Sequence, residues 1–273
     1  MHTHAHAHTD GDADMGHPDN DDLPVGRIHT RREILALFGA TGAAAITAGL
    51  LGRAAAAPIA PVAAASSCVV TPALDEGPYF VDEQLYRTDI RTDPSDGSVQ
   101  PGIPLALTLY LSRIANSACT PLSGATVDIW HANAAGLYSD ERVESNMGEK
   151  WLRGTQITDE SGMVQFATIY PGWYRGRAVH IHAKVRTAPG SSAGYAFTTQ
   201  FFFDDALSDQ IYTQPPYNTR GTRDVLNRRD GIYASGGNQL LLSLTGSHTD
   251  GYASAFSIGV QTDAATAPLV LGA

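Results

Sequence analysis

A His-x-His pair lies in residues 172–182, a stretch that also contains a tyrosine and an arginine. Side chains two positions apart on an extended strand lie on the same face, so His180 and His182 are expected to point in one direction. Histidine is rare in this part of the chain, since after residue 57 the only others are His131 and His248. Two converging imidazoles could bind a metal ion. The alternative is a solvent-facing strand with two polar positions.

The remaining ligands decide which metal such a pair would bind, because neutral imidazole suits zinc, copper, iron and nickel alike. The chain has only two cysteines, and no Asp or Glu lies in the His-x-His strand. The oxygen donor close at hand is Tyr174, just after the Pro171-Gly172 turn. A free tyrosine titrates near pH ~10, so its ligation at neutral pH requires a strong Lewis acid. Ferric iron, which tyrosinate binds in heme catalase, meets this requirement better than zinc.

The other histidines and the tryptophans have simpler interpretations. His131 is expected to be a hydrogen-bonded histidine rather than a ligand. His248 lies in a Gly-Ser-His-Thr-Asp-Gly stretch that is typical of a turn, so we expect it to be exposed. Trp130 and Trp173 are interpreted as packing residues.

Several motifs follow one another in an order that is characteristic of a known family. They are Thr71-Pro72, Glu76-Gly77-Pro78-Tyr79-Phe80, Asp128-Ile129-Trp130-His131-Ala132-Asn133, Gly136-Leu137-Tyr138-Ser139, Pro171-Gly172-Trp173-Tyr174, Arg177 before His180-Ile181-His182, and Thr198-Thr199-Gln200. In these motifs the chain resembles the intradiol ring-cleavage dioxygenases, which include the catechol 1,2-dioxygenases and protocatechuate 3,4-dioxygenases. The resemblance extends from about Thr71 to about Asp205.

The resemblance implies a non-heme Fe(III) cofactor held by two tyrosinates and two histidines. The positions that match these ligands are Tyr138, Tyr174, His180 and His182. Tyr174 matches the ligand that the substrate displaces. Two phenolates and one hydroxide neutralise ferric iron, so a catechol dianion can replace one phenolate and the hydroxide without changing the net charge.

The resemblance also implies an activity and three further site residues. Arg177 matches an arginine that stabilises the electron-rich catecholate, which is an electrostatic role. Gln200 matches a residue beside the metal-bound hydroxide and the oxygen site. Tyr79 is expected to line the substrate pocket. The implied reaction cleaves a catechol-type aromatic ring between its hydroxyl-bearing carbons and incorporates both atoms of O2, giving a muconate-type diacid.

Two other functions remain compatible with the residues. One is a non-catalytic extracellular β-sandwich module that binds a polymer or partner and keeps a vestigial metal site. The other keeps the metal but makes it copper or zinc, in another redox or hydrolytic role. Retention of all the ligand types together with Arg177 and Gln200 favours the dioxygenase.

Two departures from the family pattern bear on substrate and assembly. Only five residues separate Tyr174 from His180, which is a shorter connection than in well-known members and predicts a more open site. The N-terminal helical dimerisation region of catechol 1,2-dioxygenases is absent here, so the sequence leaves open whether the protein forms a homo-oligomer. Neither feature identifies the catechol.

Residues 1–57 are interpreted as a leader that targets the protein for export. Thr30-Arg31-Arg32 precede an apolar run from Ile34 to Gly52, which is typical of a twin-arginine signal. A retained anchor is the alternative, although the run barely reaches spanning length and is rich in Ala and Gly. A His-rich tail precedes the signal and is assigned no role. The sequence therefore predicts a periplasmic or extracellular protein, with a linker at 58–70 and the dioxygenase-like domain at 71–273.

The composition limits the partners. The chain carries a net charge of −10 and has no cluster of Lys and Arg, so we expect no nucleic-acid binding. After the leader no segment is long and apolar enough for stable membrane insertion. The expected partners are a small catechol-type molecule and O2.

Short alternating segments predict an all-β domain. Apolar and polar residues alternate in seven segments, which are residues 105–112, 125–131, 163–169, 178–185, 196–203, 239–244 and 253–260. Gly-, Asp- and Asn-rich turns separate them, which favours an antiparallel β-sandwich with long loops. The family fold is likewise a β-sandwich. Short helices are expected at most, near residues 208–212 or 225–227.

A disulfide between Cys68 and Cys119 is predicted, because these are the only cysteines and an exported protein enters an oxidising compartment. Closing a loop of this length stabilises a protein by roughly 4 kcal/mol in the chain-entropy model. We expect reduction, or replacement of both cysteines by serine, to lower the free energy of unfolding by about that amount. Non-reducing peptide mass mapping should recover one linked peptide pair, and two free thiols would contradict the prediction.

Overall fold

The computed structural model describes residues 69–115, 118–142, 146–187 and 195–261. The predicted leader and almost all of the predicted linker lie outside these ranges, as do the last residues of the predicted domain. Cys119 takes part in a disulfide, whereas Cys68 lies outside the described residues, so the pairing of the two stays a prediction. Within the described ranges, no helix has the length and apolar character needed to cross a membrane.

The described part of the chain is built mainly from β-strands. The strands are β1 (Pro104–Ala115), β2 (Ala118–Pro121), β3 (Thr126–Trp130), β4 (Arg153–Ile157), β5 (Met163–Ile169), β6 (His180–Thr187), β7 (Tyr195–Phe202), β8 (Thr245–Ser247) and β9 (Gly251–Gln261). The helices are short. They are α1 (Asp205–Ile211), α2 (Gly231–Ala234) and the 3-10 turns Tyr217–Arg220, Asn227–Arg229 and Gly237–Gln239.

The strands form two sheets, which confirms the predicted all-β class. In the first sheet β1 is central: β9 pairs with one edge, β5 and β2 share the other, and β8 flanks β9. The second sheet has the order β4-β3-β6-β7 and is antiparallel throughout. The pairing of β1 with β9 is parallel, so the expected fully antiparallel pattern is wrong for this one pair.

The main apolar core lies between the sheets. The alternation in β1 buries Leu105, Leu107, Leu109 and Leu111. From the second sheet, β6 contributes its odd-numbered residues, such as Ile181, to the same cluster. Burial of each such leucine or isoleucine contributes about 1.5–3 kcal/mol. The even-numbered side of β6, which carries the two histidines, is thereby directed away from this core.

One predicted strand, residues 239–244, is wrong. This segment follows a 3-10 turn and touches β7 only through an isolated bridge between Leu241 and Phe202. Its side chains alternate between buried and exposed, since Leu240 and Leu242 are buried while Leu241 is exposed. This alternation is not accompanied by continuous hydrogen bonding to a neighbouring strand. Strand β4 was not predicted, because its sequence Arg-Gly-Thr-Gln-Ile lacks apolar alternation. Its polar residues Arg153 and Thr155 are nevertheless buried, and their side chains are hydrogen-bonded within the fold.

Residues 71–90, here called the N-terminal segment, run along both edges of the second sheet. The amide of Leu74 donates to the carbonyl of Thr198 in β7, at 2.9 Å. On the opposite edge the amide of Thr155 in β4 donates to the carbonyl of Leu85, at 2.8 Å. Both edges are thus covered, which protects them against pairing with other chains. The middle of the segment, which carries Tyr79, is held over the sheet between these two anchors.

Gly172 lies where two loops meet at the end of the second sheet. Its amide donates to the carbonyl of Asn133 at 3.1 Å. A Cβ at this position would lie 2.6 Å from the carbonyl oxygen of Ala134 and closer still to that of Asn133. Only glycine fits here, and it brings the following residues, Trp173 and Tyr174, against the loop that carries Tyr138.

We expect Gly172→Ala to lower the free energy of unfolding by about 1–3 kcal/mol, because the methyl group forces two backbone segments apart. Gly231→Ala is the matched control, since a Cβ at Gly231 meets nothing within 4 Å and alanine favours the helix that begins there. Urea denaturation of both variants measures the difference. Equal stability of the two would contradict the close approach.

Candidate metal centre

The two histidines of β6 converge as their spacing predicts. Their Nε2 atoms lie 3.0 Å apart, and both side chains are buried, with 3% of His180 and 1% of His182 exposed. The Nδ1 atom of His180 lies 2.6 Å from the carbonyl oxygen of Ala178. Because a carbonyl only accepts, this contact assigns the proton to Nδ1 and leaves the lone pair on Nε2. His180 therefore presents the nitrogen that a metal would bind.

The strand register places His182 between two residues that the sequence singled out. It pairs with Trp130 of β3 on one side and with Gln200 of β7 on the other. The rings of Trp130 and His182 stack, with centroids 4.7 Å apart and planes 7° from parallel. This stacking confirms Trp130 as a packing residue and holds the orientation of the His182 ring.

Both tyrosines reach this pair of histidines. The hydroxyl of Tyr174 lies 3.2 Å from Nε2 of His180. The ring centroid of Tyr138 lies 5.6 Å from that of Tyr174 and 6.1 Å from that of His182. The hydroxyl of Tyr138 is buried and makes no hydrogen bond of good geometry with the described residues, although it lies near enough to the phenol of Tyr174 for each to affect the pKa of the other.

Tyr79 covers the two tyrosines. Its ring stacks on Tyr138, with centroids 4.3 Å apart and planes 18° from parallel, and it meets Tyr174 edge-on at 6.1 Å. Gly77 of the same segment lies over His182, since a Cβ there would be 3.4 Å from the imidazole Cε1. The N-terminal segment thus forms one wall of the site, whereas the role of Tyr79 in binding substrate stays a prediction.

Burial sets the protonation of all four groups. It lowers the pKa of His180 to about 3, and the positive charge of Arg177 acts in the same direction. It also lowers the pKa of His182 well below the usual range of an imidazole. Burial raises the pKa of Tyr174 to about 12, against the opposing effect of Arg177, and it raises that of Tyr138 as well. Without a metal the imidazoles are therefore neutral and ready to ligate, while the phenols keep their protons until a cation displaces them.

The donor set fits ferric iron. The lone pair on Nε2 of His180 faces both the Nε2 atom of His182 and the hydroxyl of Tyr174, and a cation among these atoms would satisfy them together with the hydroxyl of Tyr138. Two imidazoles with two hard, anionic phenolates suit Fe(III). Among the described residues, no cluster of three or more His, Cys, Asp or Glu side chains could hold a metal ion. Two of the four candidate ligands are instead tyrosine phenols.

Arg177 and Gln200 meet beside the histidines. Nη2 of Arg177 donates to Oε1 of Gln200 at 2.6 Å, and the amide nitrogen of Gln200 donates to the carbonyl of Asp75 at 2.6 Å. Nε of Arg177 forms an ion pair with Asp230, at 2.9 Å. Arg177 is thus part of a connected polar chain and not an ordinary surface arginine.

Arg153 supports the site, and sequence reasoning did not find it. Its guanidinium donates to the carbonyl of Tyr79 at 2.6 Å, and to the hydroxyl and carbonyl of Ser139 at 2.9 and 2.7 Å. Burial lowers the pKa of Arg153, opposed by the nearby Glu83 and other acidic groups. One buried cation therefore ties the Tyr79 wall to the residue after Tyr138. In sequence Arg153 resembles a surface arginine, so no local signal marks it.

The remaining histidines behave as predicted. His131 is buried and hydrogen-bonded through both ring nitrogens, to the carbonyl of Ala132 at 2.9 Å and the hydroxyl of Thr168 at 2.6 Å. His248 is exposed.

Trp173 is a packing residue, as predicted. The guanidinium carbon of Arg220 lies 5.2 Å from the centroid of the Trp173 ring.

Comparison with known proteins gives the same result as the motifs. A family model described as a dioxygenase matches residues 75–228, which is more than half of the chain. The chain belongs to the intradiol ring-cleavage dioxygenases. The structure is similar to that of an intradiol ring-cleavage dioxygenase from Tetranychus urticae, with 31% identity, a TM-score of 0.61, and coverage of 71% of this chain and 96% of that one.

Two further relatives extend the comparison. The dioxygenase domain of a dioxygenase–carbohydrate-binding protein fusion from Streptomyces sp. SirexAA-E shares 30% identity at a TM-score of 0.51, covering 71% of this chain and 99% of that one. A catechol 1,2-dioxygenase of Candida albicans is 34% identical over 92 residues, which are 33% of this chain and 30% of that protein. The chain thus spans about a third of this curated relative. Intradiol dioxygenases use non-heme iron.

We expect Arg153→Met to lower the free energy of unfolding by about 3 kcal/mol, because it leaves buried carbonyls without donors. Arg153→Lys should recover only part of this loss, since lysine cannot reproduce the planar set of donors. Arg113→Met, at an exposed position of β1, is the control and should change stability by less than about 0.5 kcal/mol. Chemical denaturation measures all three variants. If Arg153→Met lowers the free energy of unfolding no more than Arg113→Met does, Arg153 does not support the site.

Proposed function

We propose that this protein is an exported, non-heme ferric dioxygenase that cleaves a catechol-type ring with O2 to a muconate-type diacid. The observation that carries the proposal is the convergence of two imidazoles and two phenols. Nε2 of His180 lies 3.0 Å from that of His182 and 3.2 Å from the hydroxyl of Tyr174, and Tyr138 lies against both Tyr174 and His182. Family membership supports the same reaction class.

The two tyrosines have different parts in this proposal. Ferric iron, if held by these two tyrosines and two histidines, would supply a Lewis acid that activates a catechol for reaction with O2. Tyr138 is buried, with 4% of its surface exposed, and is suited to a permanent ligand. Tyr174 is only partly buried, and burial raises its pKa to about 12. Once displaced, its Oη would therefore take up a proton that a catechol hydroxyl gives away.

Arg177 supplies positive charge close to the reacting ring. It lies near enough to lower the pKa values of His180 and Tyr174 through its charge. A fixed cation in a dry site stabilises the negative charge that builds up on an electron-rich catecholate. Gln200, hydrogen-bonded to Arg177, lies beside His182 in the strand register, which supports the proposal that it lies near the oxygen ligands of the metal.

Tyr79 is proposed to bound the substrate pocket. Its ring lies on Tyr138 and against Tyr174, so an aromatic ring that enters beside Tyr174 would meet an aromatic face. Export through the twin-arginine signal in residues 1–57 is part of the proposal, because that route carries folded proteins and permits metal insertion beforehand. The proposed partners are a catechol and O2.

The visible spectrum of the purified, iron-loaded protein tests the proposal. We expect a broad tyrosinate-to-iron charge-transfer band that moves to longer wavelength when catechol is added without oxygen. Admission of O2 should then consume catechol and give a muconate-type product. A protein that stays colourless after reconstitution with iron would overturn the ligand assignment and favour the non-catalytic binding module. Elemental analysis that finds copper or zinc would favour the third function.

Replacement of one phenol sharpens this test. Tyr174→Phe should shift the band and lower turnover by more than the roughly 10–100-fold that loss of an outer hydrogen-bond partner costs. Tyr110→Phe, in the first sheet, is the matched control and should keep both band and activity. An active Tyr174→Phe enzyme with an unchanged spectrum would show that Tyr174 is not a ligand.

A further inference from the structure

The two carboxylate oxygens of Asp230 accept hydrogen bonds from different parts of the structure. Its side chain is almost fully buried, with 1% exposed, and it precedes the short helix α2. Oδ1 accepts the amides of Ile232 and Tyr233, at 2.8 and 3.0 Å, and so caps the helix. Oδ2 accepts Nε of Arg177 at 2.9 Å and the amide of Ala178 at 2.7 Å.

The contact through Oδ2 restricts the guanidinium of Arg177. Nε is held by Asp230 and Nη2 by Gln200, so two of the three nitrogens of the planar group are fixed by different residues. Nη1 donates to no residue that the structure describes. The backbone around Arg177 is fixed by the same oxygen, since Ala178 is its direct neighbour. An arginine side chain otherwise has many rotamers, and its electrostatic effect depends on where the charge is held.

We propose that Asp230 is a positioning residue that fixes the guanidinium of Arg177 toward the metal centre and, through Arg177, holds Gln200. The helix cap anchors Asp230 itself, so α2 acts as a fixed support for the polar chain Asp230–Arg177–Gln200. The catalytic consequence rests on the proposed function, whereas the placement of Arg177 does not. Asp230 touches no reacting atom, so its loss should lower kcat and leave KM nearly unchanged.

Asp230→Ser separates the two tasks of the carboxylate. Serine is a good helix N-cap, so the cap on α2 is retained while the acceptor for Arg177 and Ala178 is lost. Asp230→Asn also retains a capping oxygen, but it turns an NH2 group toward two donors. We expect both variants to lower kcat for catechol by about 10–100-fold, as outer-shell substitutions do. The melting temperature should also fall, because Arg177 and the buried amide of Ala178 lose their acceptor, but the protein should remain folded at the assay temperature.

Asp204→Ser is the matched control. Asp204 caps α1 by accepting the amide of Leu207 at 2.8 Å, so the same substitution at an equivalent cap measures the purely structural effect. This variant should keep kcat and KM. Equal losses of kcat in Asp204→Ser and Asp230→Ser would overturn the proposal.

A double-mutant cycle with Arg177→Met tests whether Asp230 acts through Arg177. Asp230→Ser should cause no further loss of kcat in the Arg177→Met background, because the group that it positions is already absent. The same fold loss in both backgrounds would indicate a general structural role and contradict the proposal.

A crystal structure of iron-loaded Asp230→Ser gives a readout that does not depend on turnover. We expect the bond between Nη2 of Arg177 and Oε1 of Gln200 to be lost and the guanidinium to move. An Arg177 that keeps its place would overturn the positioning role. If the wild type cleaves no catechol, the proposed function fails, and this structure still decides whether Asp230 positions Arg177.

Discussion

The pairing register of β6 with its two neighbours is the constraint on which the candidate site depends. It aligns Trp130, His182 and Gln200 across three strands. Because side chains alternate along a strand, a shift of one residue would turn both histidines into the apolar core and bring Ile181 to their place. The core itself prevents this shift, since the odd-numbered residues of β6 pack between the sheets. The packing that stabilises the fold therefore also orients the two candidate histidine ligands.

A second constraint is that the residues of the candidate site come from separate parts of the chain. The histidines lie on a strand, but Tyr138 and Tyr174 lie in two loops, and Tyr79 lies in the N-terminal segment. Their relative positions depend on three backbone features: the close approach at Gly172, the buried guanidinium of Arg153, and the anchoring of the N-terminal segment to both edges of the second sheet. Each feature joins residues that are distant in sequence, so the site forms only when the whole domain has folded.

This separation explains what the sequence could predict. The two-residue periodicity of a strand predicted that His180 and His182 lie on one face. The family motifs predicted the two tyrosines, Arg177 and Gln200 as site residues, and the structure brings all of these side chains together. Arg153 and Asp230 were not found, because the contacts through which they support the site join residues 14 to 74 positions apart. The local contacts of Asp230 mark it only as a helix cap. The false strand at 239–244 has the same origin. Alternation reports which side chains are buried, but it does not report whether a neighbouring strand is available for pairing.

The same burial that makes the histidines good ligands makes them costly to the fold without a metal. Both imidazoles are held neutral in a dry environment, and the pKa of His180 is depressed to about 3. Their Nε2 atoms face each other at 3.0 Å, and the buried hydroxyl of Tyr138 makes no hydrogen bond of good geometry in the described structure. Buried polar groups without partners destabilise a protein by about 1–3 kcal/mol each. A cation that satisfies all of these atoms would bind the folded state and not the unfolded chain, so its binding free energy adds to stability. The proposed iron would bind both Nε2 atoms and the hydroxyl of Tyr138 at a single point of the fold, and it would thereby remove the cost of burying them without a metal.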